Sequence, residues 1–237
     1  LKLLTIKNII TLLICVAFAG CGPVYYVPNT QNVPVIKKKG QTNLTLGINS
    51  SESTNGYEFQ GAYGLTDKIA LQFNIDRIKS SDDVSNGSGN FIEFGPGYYK
   101  NLSKHFVFET YGLLGLGGFK YEEYNNTPQK INANFFRVAV QPSISFSSKY
   151  FIASLSGRVA NLNYNSVSGN YYDIDYLKAH NSYWLVEPAL TLQGGPENVK
   201  IFLQFQISEN LTNPLFQQDY TLVTFGLKAN LNPKKNK

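Results

Sequence analysis

The strongest constraint on this chain is a two-residue alternation of apolar and polar side chains that recurs along most of its length. In KIALQFNID, Ile69, Leu71, Phe73 and Ile75 alternate with Ala70, Gln72, Asn74 and Asp76. In FFRVAVQPSISF, Phe136, Val138, Val140, Pro142, Ile144 and Phe146 oppose Arg137, Ala139, Gln141, Ser143 and Ser145; VKIFLQFQIS repeats the pattern around Leu203 and Gln204. Successive side chains of a β-strand point to opposite faces, so each such run reads as a strand with one apolar and one polar face. Strands are predicted over 42–49, 56–65, 68–78, 91–101, 104–120, 134–147, 149–163, 182–193, 198–208 and 219–231. No segment between residues 42 and 231 carries a convincing helical period.

Several of these strands exceed the usual 5–6 residues or so of globular proteins and approach the roughly 9–11 that a tilted membrane-spanning strand needs. Their connections alternate between short turns, at Thr66-Asp67, near Ser103, near Ser148 and at GGPEN, and longer polar segments at 50–55, 79–90, 121–133, 164–181 and 209–218. Short turns on one side and longer loops on the other suit an outer-membrane barrel. The fold class is therefore all-β: an antiparallel up-and-down transmembrane barrel of about ten strands, with eight as the alternative. Pro96, Pro142 and Pro188 recur every 46 residues, each in the first strand of a hairpin, with Gly61 at the comparable place in a fourth. Since proline donates nothing to a ladder, the three are expected to mark bulges or local breaks at one rim.

The polar face collects charges of both signs: Glu58, Asp76, Glu93, Arg137, Arg158, Glu187 and Lys200, with Gln60, Gln72, Gln141 and Gln204 between them. In a membrane barrel these line the interior and pair with one another, because an unpaired buried charge costs several kcal/mol, about 3–5. The opposite face is aliphatic, with Tyr57, Tyr63, Tyr98, Trp184 and Tyr220 near strand ends, as aromatic girdles require. The competing reading is a soluble periplasmic, lipid-tethered barrel or sandwich with the apolar face inward.

Ahead of the strands, Lys2 and Lys7 precede an apolar run from Ile9 to Phe18, the layout of a bacterial export signal and too short to span a bilayer. Phe18-Ala19-Gly20-Cys21 resembles the lipobox of bacterial lipoproteins, in which the cysteine becomes the acylated first residue of the mature chain; Phe18 stands where an aliphatic is usual. The expected organisation is a signal peptide over 1–20, a lipid-anchored tether over 21–41, the barrel over 42–231 and a basic tail over 232–237. Pro23, Pro28 and Pro34 argue against regular structure in the tether, and Lys37, Lys38 and Lys39 suit anionic head groups or simple solvation. Cys15 leaves with the signal, so Cys21 is the lone mature cysteine and no internal disulfide forms.

Together these features resemble the small outer-membrane β-barrel proteins of Gram-negative bacteria, in versions made as lipoproteins. The resemblance implies a cell outer-membrane location and membrane lipid as a partner, and the even strand count places both termini on one side, consistent with a tether anchored in the periplasmic leaflet. Such barrels often end on an aromatic residue, whereas here Phe225 lies inside the last strand and NPKKNK follows. The favoured function is structural or interactive: a filled barrel whose loops at 121–133 and 164–181 meet envelope proteins or glycans. A narrow pore for small solutes is the alternative. Enzymatic signals are thin. Asp173, Asp175 and His180 offer a rim cluster without an Asp-x-His spacing, and Asp82-Asp83 lacks the ligands of a calcium loop. No catalytic residue, metal site or cofactor is expected. The net charge of +5 is too mild and scattered for nucleic acid.

Overall fold

The computed structural model describes residues 23–81, 83–124, 127–213 and 216–231; the expected signal, Cys21, Asp82 and the tail at 232–237 lie outside them. Long antiparallel strands dominate: β1 (Thr42–Ser51), β2 (Asn55–Gly64), β3 (Ile69–Ser81), β4 (Ser85–Asn101), β5 (Phe106–Glu123), β6 (Gln129–Ser147), β7 (Phe151–Gly169), β8 (Ser182–Gly194), β9 (Val199–Ile207) and β11 (Thr221–Leu231). A two-residue strand, β10 (Glu209–Asn210), adds to β8 beyond the end of β9. Apart from β10, each strand pairs with the next, β9 with β11, and β1 pairs with β11 from Thr42↔Leu231 to Ser51↔Leu222, so the meander closes into a ten-strand barrel without a free edge.

Turns at 65–68, 102–105, 148–150 and 195–198 define a short-turn end, where β1 begins and β11 finishes. The other end carries the connections 52–54, 82–84, 124–128, 170–181 and 208–220. Two of the long polar segments expected there, 79–90 and 121–133, turn out to be mostly strand: β3 and β4 stay paired to Ser81↔Asn86, and β5 and β6 to Glu123↔Gln129. A ladder needs only backbone groups, so it continues into stretches polar on both faces, where the period-two signal has faded. The segment 164–181 contributes the end of β7 and one short helix, α1 (Ile174–Ala179), held by buried Ile174 and Leu177 and too brief to show a helical period in sequence.

The three prolines lie within strands, five or six residues from the short-turn end, rather than at a rim. All three face outward. Pairing to the following strand is missing at Gly95-Pro96 and at Gln141-Pro142 while the register is kept, and β8–β9 pairing begins only at Ala189. They are ladder gaps and not bulges; the register shift in the β6–β7 pair lies at Asn134/Phe135.

The largest departure concerns the expected tether. Among residues 23–36, Pro23, Tyr25, Tyr26 and 28–36 are buried, because the segment runs through the inside of the barrel instead of hanging below it.

Candidate functional site

The alternation sorts into two environments. Outside, Leu46, Ile48, Leu116 and Leu155 are each more than 60% exposed, and exposed Ile, Val, Leu or Phe occur on every barrel strand except β2, which presents Tyr57 and Tyr63. Tyr57, Tyr63, Tyr98, Trp184 and Tyr220 also face outward. Inside, Glu58, Asp76, Glu93, Arg137, Arg158, Glu187 and Lys200 are all buried, as are Gln60, Gln72, Gln141 and Gln204. An apolar outer belt around a polar interior is the inverse of a soluble barrel.

Four of the seven charged residues form one chain of ion pairs across the lumen. Arg137 Nη2 lies 2.6 Å from Glu93 Oε1, Arg158 Nη1 lies 3.8 Å from Glu93 Oε2, and Arg158 Nε pairs with Glu187 Oε2. Two guanidinium groups against two carboxylates leave the cluster neutral, which is how such charges are tolerated out of water. Glycines set its position. A Cβ on Gly115 or Gly117 would stand 2.3 Å from the Phe91 ring or 2.5 Å from the Phe135 ring, so the bare backbone in GLLGLGGF makes room for both rings. Phe91 in turn supports the Arg137 guanidinium at 4.3 Å from its centroid. Asp76 and Glu58 sit opposite each other on β3 and β2, where Asn49 donates to Asp76 at 2.8 Å. Lys200 stands apart near the short-turn end, donating to the carbonyls of Lys149 and Gly195.

The remaining partner of this network is the amino-terminal segment. Arg137 Nη1 donates to Tyr26 Oη at 2.5 Å and Tyr26 Oη donates to Glu187 at 2.8 Å; Asn29 accepts from Arg137 through its side chain at 2.7 Å and from Arg158 through its carbonyl at 2.9 Å. Below it, Gln204 Oε1 accepts from the Gln31 backbone and Gln204 Nε2 donates to the Gln31 carbonyl, while Gln60 and Gln141 donate to the carbonyls of Thr30 and Asn32. The segment's own amides answer: Gln31 Nε2 donates to the Glu187 carbonyl and Asn32 Nδ2 to that of Gly61. Nearer the short-turn end, Glu109 accepts both the Val35 and Ile36 backbone N–H groups, at 2.9 and 3.0 Å, and Lys228 donates to the Val33 and Pro34 carbonyls. Val35 has φ of 59°, a strained backbone for a β-branched residue, held by these bonds.

The structure thus joins Glu93, Arg137, Arg158 and Glu187, pairs Glu58 with Asp76 and leaves Lys200 separate. Sequence reasoning missed Glu109, Lys228 and the whole segment 23–36. Lys228 was visible as the inward phase of Val223, Phe225 and Leu227; Glu109 was hidden because Phe106, Val107 and Phe108 blur the alternation. The signal in 22–36 was its lack of any charge combined with the amide-rich NTQN. Of the rim cluster, Asp173 accepts from Tyr25 Oη at 2.5 Å, Asp175 lies in the first turn of α1, and His180 stacks on Tyr176.

No protein-family model matches this chain, and no curated protein matches it. Solved structures do. The NanC porin is similar over 80% of this chain and 100% of its own, at 10% identity and a TM-score of 0.41. An outer membrane channel from Pseudomonas putida F1 is similar over 85% of this chain and 100% of its own, at 10% identity and 0.42. The translocator domain of the autotransporter NalP from Neisseria meningitidis is similar over 80% and 86%, at 7% identity and 0.43.

Proposed function

We propose that this chain is an outer-membrane β-barrel lipoprotein of structural or interactive role, non-enzymatic, lipid-anchored at Cys21, with a lumen closed by its own amino-terminal segment. The observation that carries the closed lumen is the bonding of residues 26–36 to the wall on several sides, through Arg137, Arg158, Gln204, Gln60, Gln141, Glu109 and Lys228. The belt of exposed aliphatic side chains supports insertion in a bilayer, since a soluble protein seldom exposes so large a continuous apolar patch. With solute passage blocked, the surfaces left for partners are the connections at 170–181 and 208–220, where Tyr172 and Leu211 are strongly exposed; envelope proteins or glycans are the partners proposed.

A narrow pore is the second reading, because ten strands enclose slightly more space than the eight that side chains fill. Planar-bilayer recording of the purified full chain separates the two. The closed reading expects no steady conductance from a preparation whose gel mobility in SDS shifts on heating, and a steady open-channel current from that preparation would establish the pore.

A further inference from the structure

On the outside of the wall, four consecutive strands change character at the same step. Ile75 of β3, Ile92 of β4, Leu116 of β5 and Phe136 of β6 stand cross-strand from one another, all exposed. One outward step nearer the long loops the row becomes Arg77, Asn90, Gly118 and Asn134, and the step after that is Lys79, Ser88, Lys120 and Asn132. Arg77, Asn90, Lys120 and Asn134 line a groove of about 980 Å³ that also takes in Ile75, Ile92 and Leu116. Its middle is bare: a Cβ on Gly118 would stand 2.5 Å from Asn134 Oδ1 and 2.9 Å from the Ala133 carbonyl.

The level of this groove is set by Tyr57, which is 60% exposed and pairs cross-strand with Arg77. Outward aromatics of a membrane barrel sit at the interface between hydrocarbon and water. The cations therefore stand at head-group height, with the aliphatic row directly beneath them in the acyl region. Their charge is not spent within the protein. Among the described residues none of Arg77, Lys79 and Lys120 forms an ion pair, and Arg77 Nη1 donates to Asn90 Oδ1 at 2.9 Å, which holds it along the wall. Glu122, outward on β5, stands opposite Lys130 one step higher. The patch is also local, since the strand residues at the same end over 47–51, 55–59, 159–169, 182–186, 205–207 and 221–225 include no Lys or Arg.

We propose that this groove holds one phosphate-bearing lipid, with its acyl chains against Ile75, Ile92 and Leu116 and its phosphate between Arg77 and Lys120. Their strands lie two apart, about 9.5 Å, a gap that two long side chains close around one phosphate. A guanidinium grips phosphate through paired N–H donors and an ammonium adds a point charge, while Asn132 and Asn134 offer amides to the rest of the head group. The site rests on the proposed insertion in a bilayer.

The test is retention of dimyristoylphosphatidic acid by the purified full chain in detergent, titrated and read by native mass spectrometry. Dimyristoylglycerol supplies the same chains without the phosphate. The inference expects a saturable one-to-one adduct with the phosphatidic acid and none with the diacylglycerol. Arg77→Gln with Lys120→Gln weakens that adduct about tenfold or more, whereas Lys104→Gln with Lys149→Gln, which removes two charges at the short-turn end, leaves it unchanged. Each variant is first required to keep the heat-dependent gel shift; if the Arg77 and Lys120 pair does not, the exposed Lys120→Gln alone replaces it and is expected to lose about threefold or more. Equal losses from the two ends, equal retention of the diacylglycerol, or a folded barrel that retains neither lipid overturns the inference. Binding of inorganic phosphate that the same substitutions abolish, without any lipid adduct, would assign a free-anion site and overturn the lipid. A chain that stays in solution without detergent and shows no gel shift removes the bilayer reading and the site with it, a result distinct from a folded barrel that binds no lipid.

Discussion

At the scale of single residues, the lumen is governed by charges buried away from bulk solvent. Arg137 is the clearest case: fully buried, it donates to Glu93, Tyr26 and Asn29, and so ties wall to occupant. Removing it leaves the Glu93 carboxylate with only the Asn74 amide at 3.1 Å and Arg158 at 3.8 Å. Truncating one partner of a buried pair costs about 3–5 kcal/mol, so Arg137→Ala should lower the temperature at which the protein loses its heat-dependent gel shift by many degrees, or prevent barrel assembly. An unchanged transition would mean that the network holds nothing. Val35 shows the same logic in the backbone, because its positive φ persists under the bonds that Val35 and Ile36 donate to Glu109 and those that the Pro34 carbonyl accepts from Lys228 and Asn43.

At the scale of elements, the alternation that identified the strands also fixes which way each one faces. Ile201, Phe205 and Ile207 are exposed on β9 while Lys200, Phe202, Gln204 and Gln206 are buried, with Leu203 half-buried in the outward row. Leu203→Arg should therefore cost about 2–4 kcal/mol in a bilayer, read as a lower denaturant midpoint in lipid vesicles. A neutral effect there would place Leu203 in water rather than lipid. The strands from Thr42 to Leu231 and the lumen charges other than Glu109 and Lys228 were legible because a one-residue slip would have reversed the faces of every strand. Strand ends at 79–90 and 121–133 were not legible, because ladders outlast the apolar signal. Nor was the occupant, since a segment stabilised by side chains from many strands has no period of its own. One of the prolines became interpretable only with the structure. The β8–β9 ladder is open just before Ala189, and there the Glu187 carbonyl, one residue ahead of Pro188, accepts from Gln31.

At the scale of the whole molecule, belt, lumen and amino-terminal segment form one arrangement: an apolar outside for lipid, a polar inside too costly to leave empty or unpaired, and fourteen or so residues of the same chain that complete it. The central claim is that residues 23–36 occupy the lumen, and a pair of cysteines tests it most directly. Thr30 Oγ1 and Thr224 Oγ1 lie 2.5 Å apart, both buried, on the segment and on β11. This is close to the separation of about 2.05 Å between bonded sulfurs. With Cys15 and Cys21 replaced, Thr30→Cys with Thr224→Cys leaves no other thiol in the chain. The account predicts that, in the folded barrel, the pair oxidises to an internal disulfide that resists alkylation until reduced. Two thiols that stay free and are alkylated in a barrel that still shows its heat-dependent gel shift would contradict it.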